Sequence, residues 1–354
     1  MCTHIAVAMS GGVDSSAAAC LLLEQGHDLI GVTLHLFDTA CALHSSDVDD
    51  ARAVAAQLGI AHHVLDCTQQ FRHYVMDAFA HAYELGMTPN PCIQCNRHIK
   101  FGALLDRCLE LGQEAVATGH YARREFDAGS GRWLLKKALH PEKDQSYVLY
   151  SLTQDQLARS LFPLGGLSKP EIREIAAQSG FVTAHKGESQ DICFVPDGDY
   201  AAFIRRHTGK EYPAGRFLSE DGQVLGSHNG IIEYTVGQRR GLGVSSACGR
   251  LYVKEVRPAD NTVVLSGNDS LFSRTLVAAD LNLIACDRLD GPVRLTAKAR
   301  YRMAQQPCVA EQIGPGMLRV TFDQPQRAIT PGQAVVLYDG DTVVGGATIT
   351  KGDI

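Results

Sequence analysis

The alternation of apolar and polar positions divides the 354-residue chain into three stretches of different period. In the N-terminal third, β-type runs over 4–9, 29–36, 62–65 and 115–118 alternate with helical stripes over 15–25 and 47–58. Gly26 and Gly59 stop the two helices, and Ser45 and Ser46 stand where a cap for the second would sit. Such alternation predicts a parallel sheet of the α/β kind. Residues 90–101 read as a loop leading into a helix over 102–111. Between 151 and 208 the period is helical, over 153–160, 170–179 and 200–207, with Pro170 suited to a first turn and Asp199 to an N-cap. From 209 onward, short alternating runs are cut by turn strings such as SEDGQVLGS, RPADNTVVLSG and YDGDTVVGG. These predict two small antiparallel sheets or barrels dividing near residue 280. The expected fold class is α/β plus all-β: a parallel-sheet domain over 1–150, a helical insert over 151–208, and small β-barrel domains over 209–280 and 281–354.

Composition changes this picture little. The chain is 45% hydrophobic and 20% charged, as ordinary globular proteins are. No run approaches the ~18 apolar residues of a membrane span, so the expected setting is cytoplasmic, without a membrane partner. Net charge is −6, with 17 Lys+Arg against 24 Asp+Glu over 1–208 and 16 against 15 over 209–354. Bulk charge therefore gives no sign of nucleic acid; only the local clusters YARR, GQRRG and KARYR could supply an RNA-binding groove. Taken singly, each suits a solvated face better. Of eleven cysteines, Cys20, Cys108, Cys248, Cys286 and Cys308 sit in apolar surroundings and read as core thiols.

Two motifs carry chemistry. SGGVDSS, residues 10–16, lies between the first strand and the first helix. Its glycines let backbone approach a phosphate, and the helix start offers unpaired N–H groups. It lacks the lysine of a Walker loop and the third glycine of a dinucleotide fingerprint. The second motif is NPCIQCNRHIKFG, with Cys92 and Cys95 two residues apart. That spacing serves zinc half-sites, redox dithiols, iron–sulfur anchors, or a nucleophile beside a bystander. Zinc would need four closed ligands, and no second Cys-x-x-Cys exists. Arg97, His98 and Lys100 follow Cys95 and are expected to depress its pKa. For Cys193, Lys186 would do the same, with Glu188 and Asp191 opposing. Taken alone, Cys193 between Ile192 and Phe194 reads as a buried strand thiol.

SGGVDSS resembles the PP-loop of ATP pyrophosphatases. The strings GMTPNPCIQCNRHIKFG, ATGHYARR, KDQSYVLYSL, LFPLGGLSKPEIREIA, SQDICF, YTVGQRRGLG, ARYR and ITPGQAVVLYDGD follow in order, and together they resemble the bacterial tRNA-specific 2-thiouridylase family over essentially the whole chain. The resemblance implies a transferase that uses ATP and Mg2+ to activate O2 of the wobble uridine of tRNA and replaces that oxygen with sulfur. It implies ATP contacts at Ala8, Met9, Ser10, Gly11, Gly12, Val13, Asp14, Ser15, Leu34 and Gly119. It implies tRNA contacts at Asn90, Pro91, Cys92, His120, Lys143, Asp144, Gln145, Arg300, Tyr301 and Gln333. Cys95 and Cys193 would be catalytic. Cys193 would take persulfide sulfur from a donor protein, a persulfide carrier or cysteine desulfurase, and a Cys95–Cys193 disulfide would remain.

One position departs from the family's commoner pattern, which has Asp where this chain has Cys92. Three thiolates from Cys92, Cys95 and Cys193 would suit a 4Fe–4S cluster fed by free sulfide, and this stands beside the persulfide relay as a second mechanism. An ammonia-dependent PP-loop ligase on a small carbonyl substrate, or a tRNA-binding protein without catalysis, are the alternative functions. The ligase leaves the C-terminal half unexplained.

Overall fold

The computed structural model describes residues 3–37, 43–184, 186, 192–244 and 249–350. Strands β1 (His4–Ala8), β2 (Asp28–His35), β3 (Ala61–Asp66) and β4 (Ala115–Ala117) form the first sheet. A hairpin follows, β5 (Ala122–Asp127) and β6 (Arg132–Lys137), and then β7 (Ser160–Leu161), which returns to that sheet. The sheet order is β3-β2-β1-β4-β7, with every pair parallel. Both faces are covered, as parallel sheets require. Ile5 and Val7 pack under α1 (Val13–Glu24) and α2 (Leu43–Leu58), while Ala6, Val32 and Val116 pack under Leu104, Leu105 and Cys108 of the helix on the other face. The connections out of β1 and β4 are where the strand order reverses, and open α/β sheets bind ligands there.

Two local expectations are corrected here. Helix α2 begins at Leu43, so the chain is already helical at Ser45 and Ser46. The Cys-x-x-Cys stretch is not a loop. Asn90 caps a helix with Pro91 in its first turn, and helix runs on through Pro91–Gln94, a π-helical Cys95–Ala103 and Leu104–Glu110. Asn-Pro reads as a turn, but the same pair is an N-cap and N1 signal.

The helical segment matches its pattern. Thr153 with Gln156, and Ser168 with Glu171, form capping boxes, and Asp199 caps Tyr200–Thr208 through the Ala202 N–H. Beyond it, β8 (Gly215–Leu218), β9 (Val224–His228), β10 (Tyr252–Arg257) and β11 (Thr262–Ser266) form one sheet in the order β10-β11-β8-β9. Its β8–β11 pair is parallel, against the antiparallel expectation. The remaining strands are β12 (Phe272–Leu283), β13 (Val293–Lys298), β14 (Gln306–Gly314), β15 (Met317–Arg327), β16 (Ala334–Asp339) and β17 (Thr342–Ile349). They close into a six-stranded antiparallel barrel through the β12–β17 pairing. β12 runs unbroken through residue 280, so the change of sheet falls at 267–271. The β5–β6 hairpin pairs with this barrel, Leu135 opposite Val343, and ties the N-terminal domain to the C-terminal one.

Candidate functional site

The phosphate loop leaves the end of β1 and enters α1. Gly11 has φ +68°, and a Cβ there would lie 2.3 Å from the Asp47 carbonyl oxygen, so only glycine fits. The loop is held by its own serines: Ser15 Oγ donates to the Gly12 carbonyl at 3.1 Å and accepts the Ser10 N–H at 3.1 Å, while Ser16 Oγ donates to the same carbonyl at 3.0 Å. Met9 is buried, and its carbonyl accepts from Thr33 Oγ at 2.8 Å. Ala8 ends β1, Val13 begins α1, and Leu34 lies next to the last residue of β2. Gly119, after β4, abuts the loop: a Cβ there would stand 3.0 Å from the Ser15 nitrogen. The structure thus gathers these residues at the switch point.

Sequence reasoning missed the cations around this loop. Lys169 Nζ donates to Asp14 Oδ1 at 2.6 Å, and the Tyr121 hydroxyl donates to the same oxygen at 2.7 Å. Lys186 Nζ donates to the Gly11 carbonyl at 3.1 Å and pairs with Asp47 at 2.6 Å and Asp50 at 2.7 Å. Lys186 therefore braces the phosphate loop from outside, which corrects its assignment to Cys193; Glu188 and Asp191 lie outside the described residues. Nothing local marks Lys169, because only the packing of α1 against Lys169–Gln178 brings it in.

Cys92 and Cys95 occupy the first turns of their helix, and the Asn90 side chain accepts the Cys92 N–H at 3.1 Å. Cys193 stands on a turn before Tyr200–Thr208, not on a strand, with Phe194 packed into the same core as Cys95. All three are free thiols. Cys95 is buried, whereas Cys92 and Cys193 show surface to solvent. Desolvation is still the largest influence on all three. Burial pushes Cys95 up to about 11, with Lys100 opposing and Cys92 and Cys67 adding to the rise. Burial, then the nearby Cys95 and Cys92, push Cys193 up to about 12; Cys92 is raised by burial too. The expected depression of the Cys95 pKa is thus overturned. Of the three basic neighbours only Lys100 acts on it; Arg97 pairs with Asp280 at 2.5 Å and His98 stacks on Tyr74.

Among the described residues, no three His, Cys, Asp or Glu side chains are grouped to hold a metal ion. The three cysteines lie near enough for their charges to act on one another.

Most of the implied tRNA residues are tied to protein. Pro91 is buried in the helix start. His120 is buried, with Nδ1 2.8 Å from Thr118 Oγ and its pKa held well below the usual range by burial. The Asp144 carboxylate accepts from the Ala138 N–H and from Ser146, and Gln145 accepts the Tyr121 N–H. Lys143 joins this turn through a backbone bond to His140. Arg300 donates to the Ala328 carbonyl and to Thr330 Oγ, the latter at 2.6 Å. Gln333 donates to the Thr88 carbonyl at 2.8 Å, pinning the barrel to the strand of chain that enters Asn90. Of these, Cys92 and Tyr301 are exposed, and burial, then the charges of Asp144 and Cys92, raise the Tyr301 hydroxyl pKa.

The basic clusters divide. In YARR, Arg123 pairs with Asp341 at 2.7 Å across the hairpin–barrel joint, while Arg124 lies 4.3 Å over the Trp133 ring and donates to the Leu157 and Ala158 carbonyls. In GQRRG, Arg239 and Arg240 are exposed and make no ion pair among the described residues. In KARYR, Lys298 sits 5.6 Å and 5.7 Å from the Tyr147 and Tyr301 ring centroids, while Arg300 is committed as above. Of the thiols read as core, Cys20, Cys108 and Cys308 are buried, Cys286 is half-buried, and Cys248 lies outside the described residues.

A phosphate loop at the switch point of a parallel sheet, followed by two β-domains, places the chain among HUP-domain proteins with appended barrels. Three family models match in order: the tRNA methyl transferase HUP domain over 3–197, its PRC-barrel domain over 201–267, and the aminomethyltransferase β-barrel domain over 273–349. The chain is 45% identical to the tRNA-specific 2-thiouridylase MnmA of Clostridioides difficile (strain 630), over 98% of each chain. It is 47% identical to the protein of the same name from Carboxydothermus hydrogenoformans, over 98% of this chain and 97% of that one. It belongs to the tRNA-specific 2-thiouridylase family. Among solved structures it is similar to the U34-tRNA thiolase NcsA from Methanococcus maripaludis with its 4Fe–4S cluster, at 18% identity and a TM-score of 0.36, over 58% of this chain and 71% of that one. That likeness carries no ligand over to this chain.

Proposed function

We propose that the protein thiolates C2 of the wobble uridine of tRNA in two steps, ATP-driven adenylation and sulfur transfer through Cys193 and Cys95. The observation that carries this reading is the convergence of Cys193 on Cys95 and Cys92, close enough for their charges to act on it, in a fold that also presents a phosphate loop.

ATP would lie along Ser10–Ser15, its phosphates met by loop N–H groups and the start of α1. Mg2+ bound with the nucleotide would shield the pyrophosphate, and Asp14 is the carboxylate within the loop suited to hold it. The uracil O2 attacks the α-phosphate and pyrophosphate leaves. A donor protein loads Cys193 as a persulfide. Its terminal sulfur attacks C2 and expels AMP, leaving uridine joined to Cys193 through two sulfurs. The Cys95 thiolate then attacks the Cys193 sulfur, forming a Cys95–Cys193 disulfide and releasing 2-thiouridine. An external dithiol resets the pair. Because burial keeps both thiols protonated in the free protein, tRNA or donor binding must supply the field or base that ionises Cys95.

The test is reconstitution with unmodified tRNA, ATP and a persulfide donor. Product 2-thiouridine, AMP and pyrophosphate should appear together. Cys95→Ala and Cys193→Ala should each abolish 2-thiouridine while leaving ATP–pyrophosphate exchange intact. Thiolation without ATP would refute the reading.

A further inference from the structure

Beside the thiols lies an aromatic surface with no role in the chemistry above. Tyr74 and His98 stack with ring centroids 4.4 Å apart and planes 9° apart. His98 follows Cys95 by three residues in the π-helical Cys95–Ala103, and Tyr74 lies in a second π-helical turn, Arg72–Asp77. That second turn packs against Pro91–Gln94, which carries Cys92. π-Helical turns are rare and recur at functional sites. Tyr74 is 41% exposed, and His73 meets its ring edge-on at 4.8 Å. Arg72, next in line, is exposed and makes no ion pair among the described residues. Burial and Arg97 hold His98 below the usual histidine range, so its ring is neutral near pH 7.

We propose that Tyr74, backed by His98, is a stacking platform for a nucleobase that neighbours the target uridine in the anticodon loop. This rests on tRNA being the substrate. Turning the target base out for chemistry breaks its stacking with the next base and leaves a π-face open to water. A flat, pre-stacked aromatic pair beside the thiols replaces the lost partner whatever the base identity, and the exposed Arg72 alongside suits the adjacent phosphate. Nothing in the fold requires Tyr74 to be aromatic: its stacked partner His98 is half-buried at the surface, not in a core.

The test uses anticodon stem-loops carrying 2-aminopurine immediately 5′ or 3′ of the target uridine. Wild-type protein should quench one of the two probes on binding. Tyr74→Ala should abolish that quench and weaken stem-loop binding about five- to a hundred-fold, with ATP–pyrophosphate exchange and melting temperature unchanged. Tyr74→Trp should keep the quench, and Tyr74→Leu, which keeps bulk without a π-face, should lose it. Tight binding with no quench at either position overturns the proposal, as does a Tyr74→Ala protein that binds and quenches normally. Loss of melting temperature and ATP exchange in both Tyr74→Ala and Tyr74→Leu would show a helix staple instead. If Tyr74→Ala slows only persulfide loading, the surface serves the sulfur donor and the proposal fails. If wild type binds no stem-loop at all, the tRNA reading itself falls.

Discussion

Lys169 holds the Asp14 carboxylate of the phosphate loop at 2.6 Å from a helix more than 150 residues away in the chain, and Tyr121 shares the same oxygen. The loop itself contains no cation. The ammonium that pairs with Asp14 is therefore imported by tertiary packing. Lys169→Met should reduce ATP–pyrophosphate exchange about ten- to a hundred-fold, the worth of one charge-assisted hydrogen bond. Affinity for tRNA should not change. A variant that loses exchange, tRNA binding and melting temperature together would show that Lys169 only holds the two helices together.

The thiols make a pH prediction. Burial favours the neutral form, so the Cys95 pKa rises from 9.0 to about 11. At pH 8 its thiolate fraction is then about a hundredfold below that of a free thiol. Alkylation of Cys95 in the substrate-free protein should be correspondingly slow at pH 8 and climb until about pH 11. Lys100→Met, which removes the opposing cation, should slow it further. The same shift means the folded state holds this proton more tightly. Its contribution to stability is complete below about pH 9 and is lost as pH rises through the folded value. Alkylation at pH 8 as fast as that of an unhindered thiol would contradict the account.

Arginines with similar sequence surroundings should behave differently. Arg300 is spent on the Ala328 carbonyl and Thr330, and burial lowers its pKa. Arg300→Ala should cost about 1–3 kcal/mol of stability by stranding those acceptors, and leave the salt dependence of tRNA binding alone. Arg239→Ala and Arg240→Ala should leave stability unchanged and each flatten the salt slope by about one contact. Binding titrations from low to high salt, with thermal melts alongside, decide between the two behaviours.

What was legible in the sequence was whatever rests on local grammar. A β-run, two glycines and two serines before a helical stripe located the phosphate loop, and the capping strings located Lys169–Gln178 and Tyr200–Thr208. The Cys92–Cys95 helix looks like a loop in sequence because Asn-Pro starts turns as well as helices. The β5–β6 hairpin was overlooked, although Asp127 and the residues after it form a compact turn, with Asp127 accepting from the Gly129 and Ser130 N–H groups. Electrostatics was least legible. Charges adjacent in sequence predicted a depressed Cys95, but Arg97 and His98 are engaged elsewhere and desolvation decides the sign. Nothing local in ITPGQ marks what Gly332 does. In the fold it has φ +89°, and a Cβ there would lie 2.9 Å from the Thr88 nitrogen, so it lets the barrel seat against the segment leading to Asn90.

The most direct test of the account is single-turnover thiolation by iron-free protein loaded with labelled persulfide on Cys193, given ATP and unmodified tRNA. The account predicts that label enters 2-thiouridine with one Cys95–Cys193 disulfide formed per product, by peptide mass spectrometry. Cys92→Ala should retain this turnover, and Cys95→Ala should stall with tRNA linked to Cys193. An inert iron-free protein that becomes active with free sulfide once iron is restored, and loses both iron and activity in Cys92→Ala, would contradict it.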